Sequence, residues 1–303
     1  MSESPSCIIC RATTVSFLKK DGYEHLRCTR CGLVSVFPQP TLEFLRTKVY
    51  SKESGFQSNR VEDLATTTPS RRHDTMCRML TRFKPDARLL DVGCGGGQLM
   101  FLARKRGLAA SGVELNQRLA DSARAHGFQV FSGTIAEAAF PRASFDAVSL
   151  GEIIEHVNDP RAFVRDAAEA IAPGGVLLIT TPNMDCVWSR TTLWLYRTFG
   201  IPWSTATPPY HLFVFSASNL DLLLGQEGFE RVAEEYLPPP TLRYELGSLH
   251  LLKRFKESRN PFDLAFLLFA FSLYVPLHAL CRAIHPFVRQ DFSMLHLYKK
   301  KTS

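Results

Sequence analysis

The 303-residue sequence lacks the marks of several protein classes. It has no internal repeat and no long low-complexity tract, and its 45% hydrophobic content is ordinary, so fibrous and disordered chains are excluded. No basic, apolar leader opens it: residues 1–6 are polar, and the first apolar pair, Ile8-Ile9, stands between two cysteines. That pattern predicts a cytoplasmic protein with reduced thiols, so the eight cysteines read as metal ligands or core residues rather than disulfides. Tryptophan is scarce, and all three lie within 183–209. Acidic charge is scarce at one end only. Residues 241–303 hold ten Lys/Arg against four Asp/Glu, which accounts for nearly all of the formal charge of +7. Such a tail suits phosphates, nucleic acid or an anionic membrane, or is simply a solvated surface.

What is present divides into four segments. Residues 1–40 hold paired cysteines and end in Pro38-Gln39-Pro40, and residues 41–84 read as a polar helical connector. Residues 85–240 alternate short apolar runs with helical patterns, the mark of βα units around a doubly wound parallel sheet. Residues 241–303 read as a basic, aromatic helical tail. Within the third segment, strands are expected at 88–92, 109–114, 128–131, 145–150 and 176–180, with helices at 98–106 and 117–126 closed by Gly107 and Gly127. Asp159 caps a helix that opens at Pro160 and stops at Gly174-Gly175. A final strand, helix and strand are expected at 211–215, 219–227 and 229–236.

The main signal is Asp91-Val92-Gly93-Cys94-Gly95-Gly96-Gly97, which follows a strand and opens a helix. Glycines let a backbone turn sharply and come close to a ligand, and a helix N-terminus offers free N–H groups. Glu114 ends the next strand 23 residues after Asp91, where a carboxylate can accept both ribose hydroxyls. A dinucleotide fingerprint needs a glycine at the sixth position from Gly93, where Gln98 stands. An acid at the head of the run suits a cationic sulfonium better than a pyrophosphate. A tight turn with no ligand would leave Glu114 unexplained.

This stretch resembles motif I of class I S-adenosylmethionine-dependent methyltransferases. The likeness extends through Phe145-Asp146-Ala147-Val148, Glu152-Ile153-Ile154-Glu155-His156-Val157, and Ala172-Pro173-Gly174-Gly175 to Thr181-Pro182-Asn183. Tyr210-His211-Leu212-Phe213-Val214-Phe215-Ser216 resembles a block of the quinone and sugar methyltransferases. The resemblance implies a seven-strand Rossmann-like sheet. It implies S-adenosylmethionine held by Asp91, Gly93, Cys94, Gly95, Gly97 and Glu114, with Leu150 closing the fourth strand nearby. Where the family often has an Asp near the adenine, this chain has Gly133-Thr134-Ile135, leaving the Thr134 hydroxyl for that contact.

Cys7-x2-Cys10 and Cys28-x2-Cys31, 17 residues apart, have the spacing of a four-cysteine zinc site, with free thiols as the alternative. Four protein ligands would make a structural Zn2+ site with no open position. The module resembles the zinc ribbons that precede some sugar C-methyltransferases. Cys77, Cys94, Cys186 and Cys281 are isolated.

Methyl transfer needs an in-line nucleophile relieved of its proton, and histidine has the suitable pKa. His156 and His211 are the candidate bases, with a structural role as the alternative for each. Tyr210 stands where the sugar C-methyltransferases often have Glu, so it either acts itself or lines the pocket. Thr207-Pro208-Pro209-Tyr210 looks like the proline-proline-aromatic motif of nucleic-acid amino methyltransferases, but it lies about 57 residues beyond Leu150 and reads as a loop. The aromatic insertion 183–209 is either a lid over an apolar substrate or a packing cluster.

Residues 264–281 contain no Asp, Glu, Lys or Arg, with Lys253, Arg254, Lys256 and Arg259 before them and Arg282 and Arg289 after. This segment is a buried helix, an interfacial helix on an anionic membrane, or a span. The expected activity is methyl transfer to an oxygen or carbon of a small molecule or of a lipid- or nucleotide-linked sugar. The other classes are an RNA methyltransferase, disfavoured because only Arg27 and Arg30 add charge near the cysteines, and a non-catalytic cofactor-binding scaffold.

Overall fold

Short β-branched and leucine-rich runs, each followed by an amphipathic helix, build a large parallel core. The computed structural model describes residues 5–49, 64, 70–243, 245, 251–288 and 290–302, without the side chains of residues 49 and 251–254. Part of the expected connector at 41–84, together with Lys253, Arg254 and Arg289, therefore lies outside the described side chains.

The chain opens with strands β1 (Thr14–Lys20), β2 (Tyr23–Cys28) and β3 (Val34–Phe37) and a short helix α1 (Leu42–Phe44). Helix α2 (Arg71–Phe83) leads into β4 (Arg88–Val92), α3 (Gln98–Lys105), β5 (Ala109–Glu114), α4 (Gln117–Ala125), β6 (Gln129–Ser132) and α5 (Ile135–Ala138). Then come β7 (Phe145–Gly151), α6 (Pro160–Ala170), β8 (Ile171–Pro182), α7 (Val187–Phe199), β9 (Phe213–Val214), α8 (Ala217–Gln226) and β10 (Phe229–Leu237). The last elements are α9 (Leu251–Ser258), α10 (Pro261–Ile284) and β11 (Ser293–Lys300).

The large sheet has the order β10-β11-β8-β7-β4-β5-β6. β4 pairs in parallel with both β5 and β7, β5 with β6, and β7 with β8. Parallel strands covered by helices on both faces are buried throughout, which is why β4 and β7 read as near-continuous apolar runs. Helix starts follow the capping logic of the sequence: Asp159 accepts from the Arg161 and Ala162 amides, and Pro160 occupies the first turn.

Three expectations are corrected. The strand expected at 211–215 shortens to β9 and leaves the large sheet. It pairs instead with β3, completing a four-stranded sheet of order β1-β2-β3-β9. The strand expected at 176–180 begins earlier, at Ile171, because α6 ends at Ala170 and the Gly174-Gly175 pair lies inside β8. The tail is not helical to its end: β11 lies between β8 and β10.

The chain forms two compact units, one of Met1–Thr181, Pro208–Glu235 and Leu295–Ser303, the other of Pro182–Thr207 and Tyr236–Met294. This division cuts across the four sequence segments, because the chain leaves the sheet after β8 and β10 and returns each time. In the second unit Trp188 and Trp203 are fully buried, with the Trp203 indole N–H donating to the Ser189 carbonyl at 3.1 Å.

Met294, Leu295, Leu297 and Tyr298 of β11 are almost wholly buried. At roughly 1.5–3 kcal/mol each, their burial is comparable with the whole stability of a domain, about 5–15 kcal/mol. Removing Ser293–Lys300 while keeping α10 should abolish the cooperative thermal transition; a truncated chain that still unfolds cooperatively would show that β11 is dispensable.

Candidate active site

The loop between β4 and α3 is a cradle. Gly93, Gly95 and Gly97 have φ of +72°, +55° and +97°, a region that side chains disfavour. A Cβ at Gly93 would sit 2.7 Å from Ile153 Cδ1, whereas one at Gly95 would meet only Gln98 Oε1 at 3.7 Å. The loop is therefore packed from behind and open at Gly95. Gly97 caps α3 and lies over Ala123.

Glu114 closes the cradle from β5. Its Oε2 accepts the Gly95 amide at 2.8 Å and its Oε1 the Asn116 amide at 2.7 Å. Each oxygen retains a second lone pair, so a pair of ribose hydroxyls could be accepted as well. Burial raises the Glu114 pKa, opposed by those amides. Asp91, paired in register with Ser149, is more deeply buried, and that burial pushes it up to about 7. A bound cation would favour its ionised form. Two buried acids on one glycine cradle suit a ligand that combines hydroxyls with positive charge, so these residues fit S-adenosylmethionine.

The other expected cofactor contacts fall differently. Leu150 is buried beside Val92 at the base of the loop. Cys94 turns its thiol into the core, where a Cβ on Gly112 would meet its Sγ at 2.6 Å, so it offers the ligand only backbone. The Thr134 hydroxyl caps α5 and bonds Glu137, which in turn pairs with Arg46.

Beyond β7 the structure gathers a second group. Ligand atoms of Glu155, His156 and His211 all lie within 4.8 Å of one another, although His211 is 55 residues from His156. His156 Nδ1 is 2.7 Å from the Tyr210 carbonyl oxygen, which can only accept. Nδ1 therefore carries the proton, and Nε2 presents a lone pair, 3.8 Å from Glu155 Oε1. Burial lowers the His156 pKa, keeping the ring neutral. Burial also pushes Glu155 up to about 8, with neighbouring Glu152 raising it further and His211 opposing. Both Glu155 oxygens are shut off from solvent. The His156 and His211 rings meet edge to face, with centroids 4.9 Å apart. The trio can relay a proton or hold a cation. Tyr210, expected as a catalytic side chain, contributes the carbonyl that sets the His156 tautomer.

Sequence reading nominated both histidines and missed Glu155. The available signal was an acid set behind two isoleucines, Ile153-Ile154, in a segment otherwise read for its histidine.

The cysteine pairs form two similar knuckles. Cys7–Cys31 and Cys10–Cys28 sulfurs are 3.6 and 3.4 Å apart, and all four lie within 4.8 Å. Thiolates about 2.3 Å from a tetrahedral ion stand about 3.8 Å from one another, so the set fits such an ion. The Arg30 and Cys31 amides approach Cys28 Sγ at 3.4 Å; although its burial opposes ionisation, these contacts bring the thiol down to about 6. The module is tied to the segments that carry Glu155 and His211 through β3. Val36 N–H donates to the Leu212 carbonyl at 2.9 Å, and Leu212 N–H donates to the Glu155 carbonyl at 2.7 Å. Arg161 on α6 donates to the Ile9 carbonyl at 2.7 Å, fixing the first knuckle.

Comparison with known proteins agrees with this geometry. A family described as "Methyltransferase domain" matches residues 66–234. A ubiquinone biosynthesis O-methyltransferase of Xanthomonas campestris pv. campestris is 39% identical over 107 residues, 33% of this chain and 44% of that protein. The enzyme of the same description from Idiomarina loihiensis is 40% identical over 107 residues, 32% of this chain and 43% of its own length. The chain thus spans less than half of these curated relatives. A Pyrococcus horikoshii OT3 protein shares the fold, with a TM-score of 0.50 and 15% identity over 86% of this chain and all of that one.

Glu114→Ala should weaken S-adenosylmethionine binding by roughly 1.5–3 kcal/mol in calorimetry. Because a cation binds the ionised Asp91, affinity should rise about tenfold from pH 6 to pH 8 and level off above the Asp91 pKa. Asp91→Asn should flatten that profile; an unchanged slope would separate Asp91 from the bound charge.

Cys28→Ser with Cys31→Ser should remove about one metal ion per chain and, through Val36 and Leu212, speed amide exchange in 34–37 and 211–215 by at least about tenfold. Metal retained, or protection unchanged after its loss, would break the link between the module and His211.

Proposed function

The chain belongs to the methyltransferase-domain family, and on that premise we propose that it moves the methyl group of S-adenosylmethionine onto a hydroxyl oxygen of a small or lipid-linked acceptor. The observation that carries this reading is a neutral His156 with its Nε2 lone pair turned toward Glu155 and His211, beside a glycine cradle closed by Glu114. The oxygen chemistry named for the matching relatives supports oxygen over carbon. The tetrahedral thiol set is assigned to structural zinc.

When bound, S-adenosylmethionine supplies an electrophilic methyl group on a sulfonium. The cradle at Gly93, Gly95 and Gly97 would admit its amino-acid part, Glu114 would accept from its ribose hydroxyls, and ionised Asp91 would balance its charge. An alcohol or phenol attacks slowly while it holds its proton, so the base matters. His156 Nε2 takes the acceptor proton, because Nδ1–H is already committed to the Tyr210 carbonyl. The resulting imidazolium lies 3.8 Å from Glu155, which favours its carboxylate form, and the proton Glu155 then gives up passes to His211 of the same cluster. Glu155 acts through His156 and is a positioning and charge-balancing residue.

The acceptor is a molecule with a free hydroxyl, such as a quinol-type ring or a lipid- or nucleotide-linked sugar; a lipid-linked acceptor would be met at a membrane surface, which the basic tail suits if that surface is anionic. No observation favours RNA. Arg27 of the cysteine module stacks over Phe17 and Lys20 pairs with Asp21.

Purified protein given labelled S-adenosylmethionine and fractionated cell extract should label a small-molecule or lipid fraction as a methyl ether. His156→Gln should retain cofactor affinity within about twofold while turnover falls roughly a hundredfold. Wild-type turnover in His156→Gln and in His211→Gln alike would place the base elsewhere, and label in RNA would overturn the acceptor class.

A further inference from the structure

In the second unit, Leu267, Ala270, Tyr274, His278 and Cys281 recur every three or four residues along α10 and are buried. That face packs on Trp188 and Leu195 of α7 and on Ile201. A helix with one buried face should be polar on the other. α10 is not. Phe262, Leu264, Leu268, Phe269, Val275 and Leu280 are exposed, Phe262 by 81% and Leu268 by 60%, in a helix without charge from Leu264 to Cys281. Helix α7 extends the surface through Val187 and Trp194. The Trp194 ring meets Phe199 at 5.7 Å and Phe199 meets Phe269 at 5.3 Å, so the two helices share one exposed aromatic row. At about 1.5 Å per residue, the strip from Phe262 to Leu280 runs roughly 27 Å along α10, a contiguous apolar face rather than the scattered apolar residues of an ordinary surface.

We propose that this face docks on an anionic lipid bilayer and lies in its interfacial plane. Charge selects the occupant. The unit carries nine Lys/Arg against five Asp/Glu, and two of those acids, Glu245 and Asp291, are buried. Lys256 and Arg259 are exposed ahead of the strip, Arg282 behind it, and Arg190 and Arg197 on α7, with Glu257 and Asp185 the exposed acids nearby. A second copy seated on the strip would bring these bases against one another: Arg282 against Lys256 and Arg259 if antiparallel, each against itself if parallel. Anionic headgroups instead complement both ends while the acyl region receives the phenylalanines and leucines. A full span is excluded by the opposite face. It would strip α10 from its own core and break the Tyr274 hydroxyl bond to Ser204, 3.2 Å, and the His278 Nε2 bond to the Pro240 carbonyl, 2.7 Å.

The proposal goes beyond methyl transfer and requires no acceptor, so its test is independent of that reading. Full-length protein is floated with phosphatidylcholine vesicles containing about 30% phosphatidylglycerol, with pure phosphatidylcholine vesicles, and with the mixed vesicles in about 0.5 M salt. The wild-type chain should float with the mixed vesicles and partition at least about tenfold less in the other two conditions. Leu268→Glu with Leu280→Glu should lose flotation by at least about tenfold, with unchanged S-adenosylmethionine affinity and thermal transition, because both positions are exposed. Equal flotation of variant and wild type, or none by the wild type, overturns the proposal. A wild-type dimer in sedimentation that the variant dissolves, without vesicle binding, assigns the face to a second copy instead.

Discussion

One backbone position ties the Glu155, His156 and His211 cluster to the N-terminal module. The Leu212 amide donates to the Glu155 carbonyl and its own carbonyl accepts from Val36, so a single residue is held from both sides by main-chain bonds. His211 precedes it, and Tyr210, whose carbonyl sets the His156 tautomer, precedes His211. The placement of His211 beside His156 thus follows from a strand pairing, β3 with β9, that reaches across most of the chain. Main-chain bonds do this better than side-chain contacts, because two buried peptide groups without partners would each cost more than the bond contributes. The second cysteine knuckle immediately precedes β3, with the Cys28 amide donating to the Leu33 carbonyl at 2.9 Å, so a closed four-cysteine site stands at one end of that strand.

The same economy of buried charge shapes the cofactor cradle. Asp91, Glu114 and Glu155 are buried acids whose pKa values all rise, principally because burial penalises the charged form. Each stands where positive charge or donated protons are expected: a sulfonium near Asp91, ribose hydroxyls at Glu114, an imidazolium at Glu155. A buried acid without such a partner is a standing cost to the fold, and a ligand bearing positive charge or hydroxyl protons would offset that cost. Gly112 shows how little slack the design has. Its missing Cβ is the space taken by Cys94, and that residue carries the loop itself.

The second unit follows another rule. Trp188 and Trp203 are core residues of that unit, while Trp194 and Phe199 are left outside with α10. The scarce tryptophans of the chain therefore divide between holding the unit together and exposing an apolar surface. Composition alone ranks these residues equally; helix phase separates Trp188 from Trp194 on α7, and the segment after α7 buries Trp203.

Local rules made much of this protein legible from its sequence. The strand-to-helix turn at Gly93–Gly97 needs glycine wherever φ is positive, the helix caps need Asp159 and Pro160, and paired cysteines need only short turns to converge. Each depends on residues close in the chain, so pattern suffices. The positions that failed are non-local. β9 has the apolar look of a core strand, and nothing in its pattern could tell that its partner would be β3 rather than β8. β11 hides in a basic tail because its burial is decided by the gap between β8 and β10, not by its own composition. Glu155 becomes chemically distinct only once folding removes it from water and brings His211 beside it from 56 residues away. Fold class and cofactor cradle were thus determined by short-range stereochemistry, whereas the proton-handling trio, the strand that completes the sheet and the exposed face of α10 were decided by tertiary packing, which alone sets burial and partner.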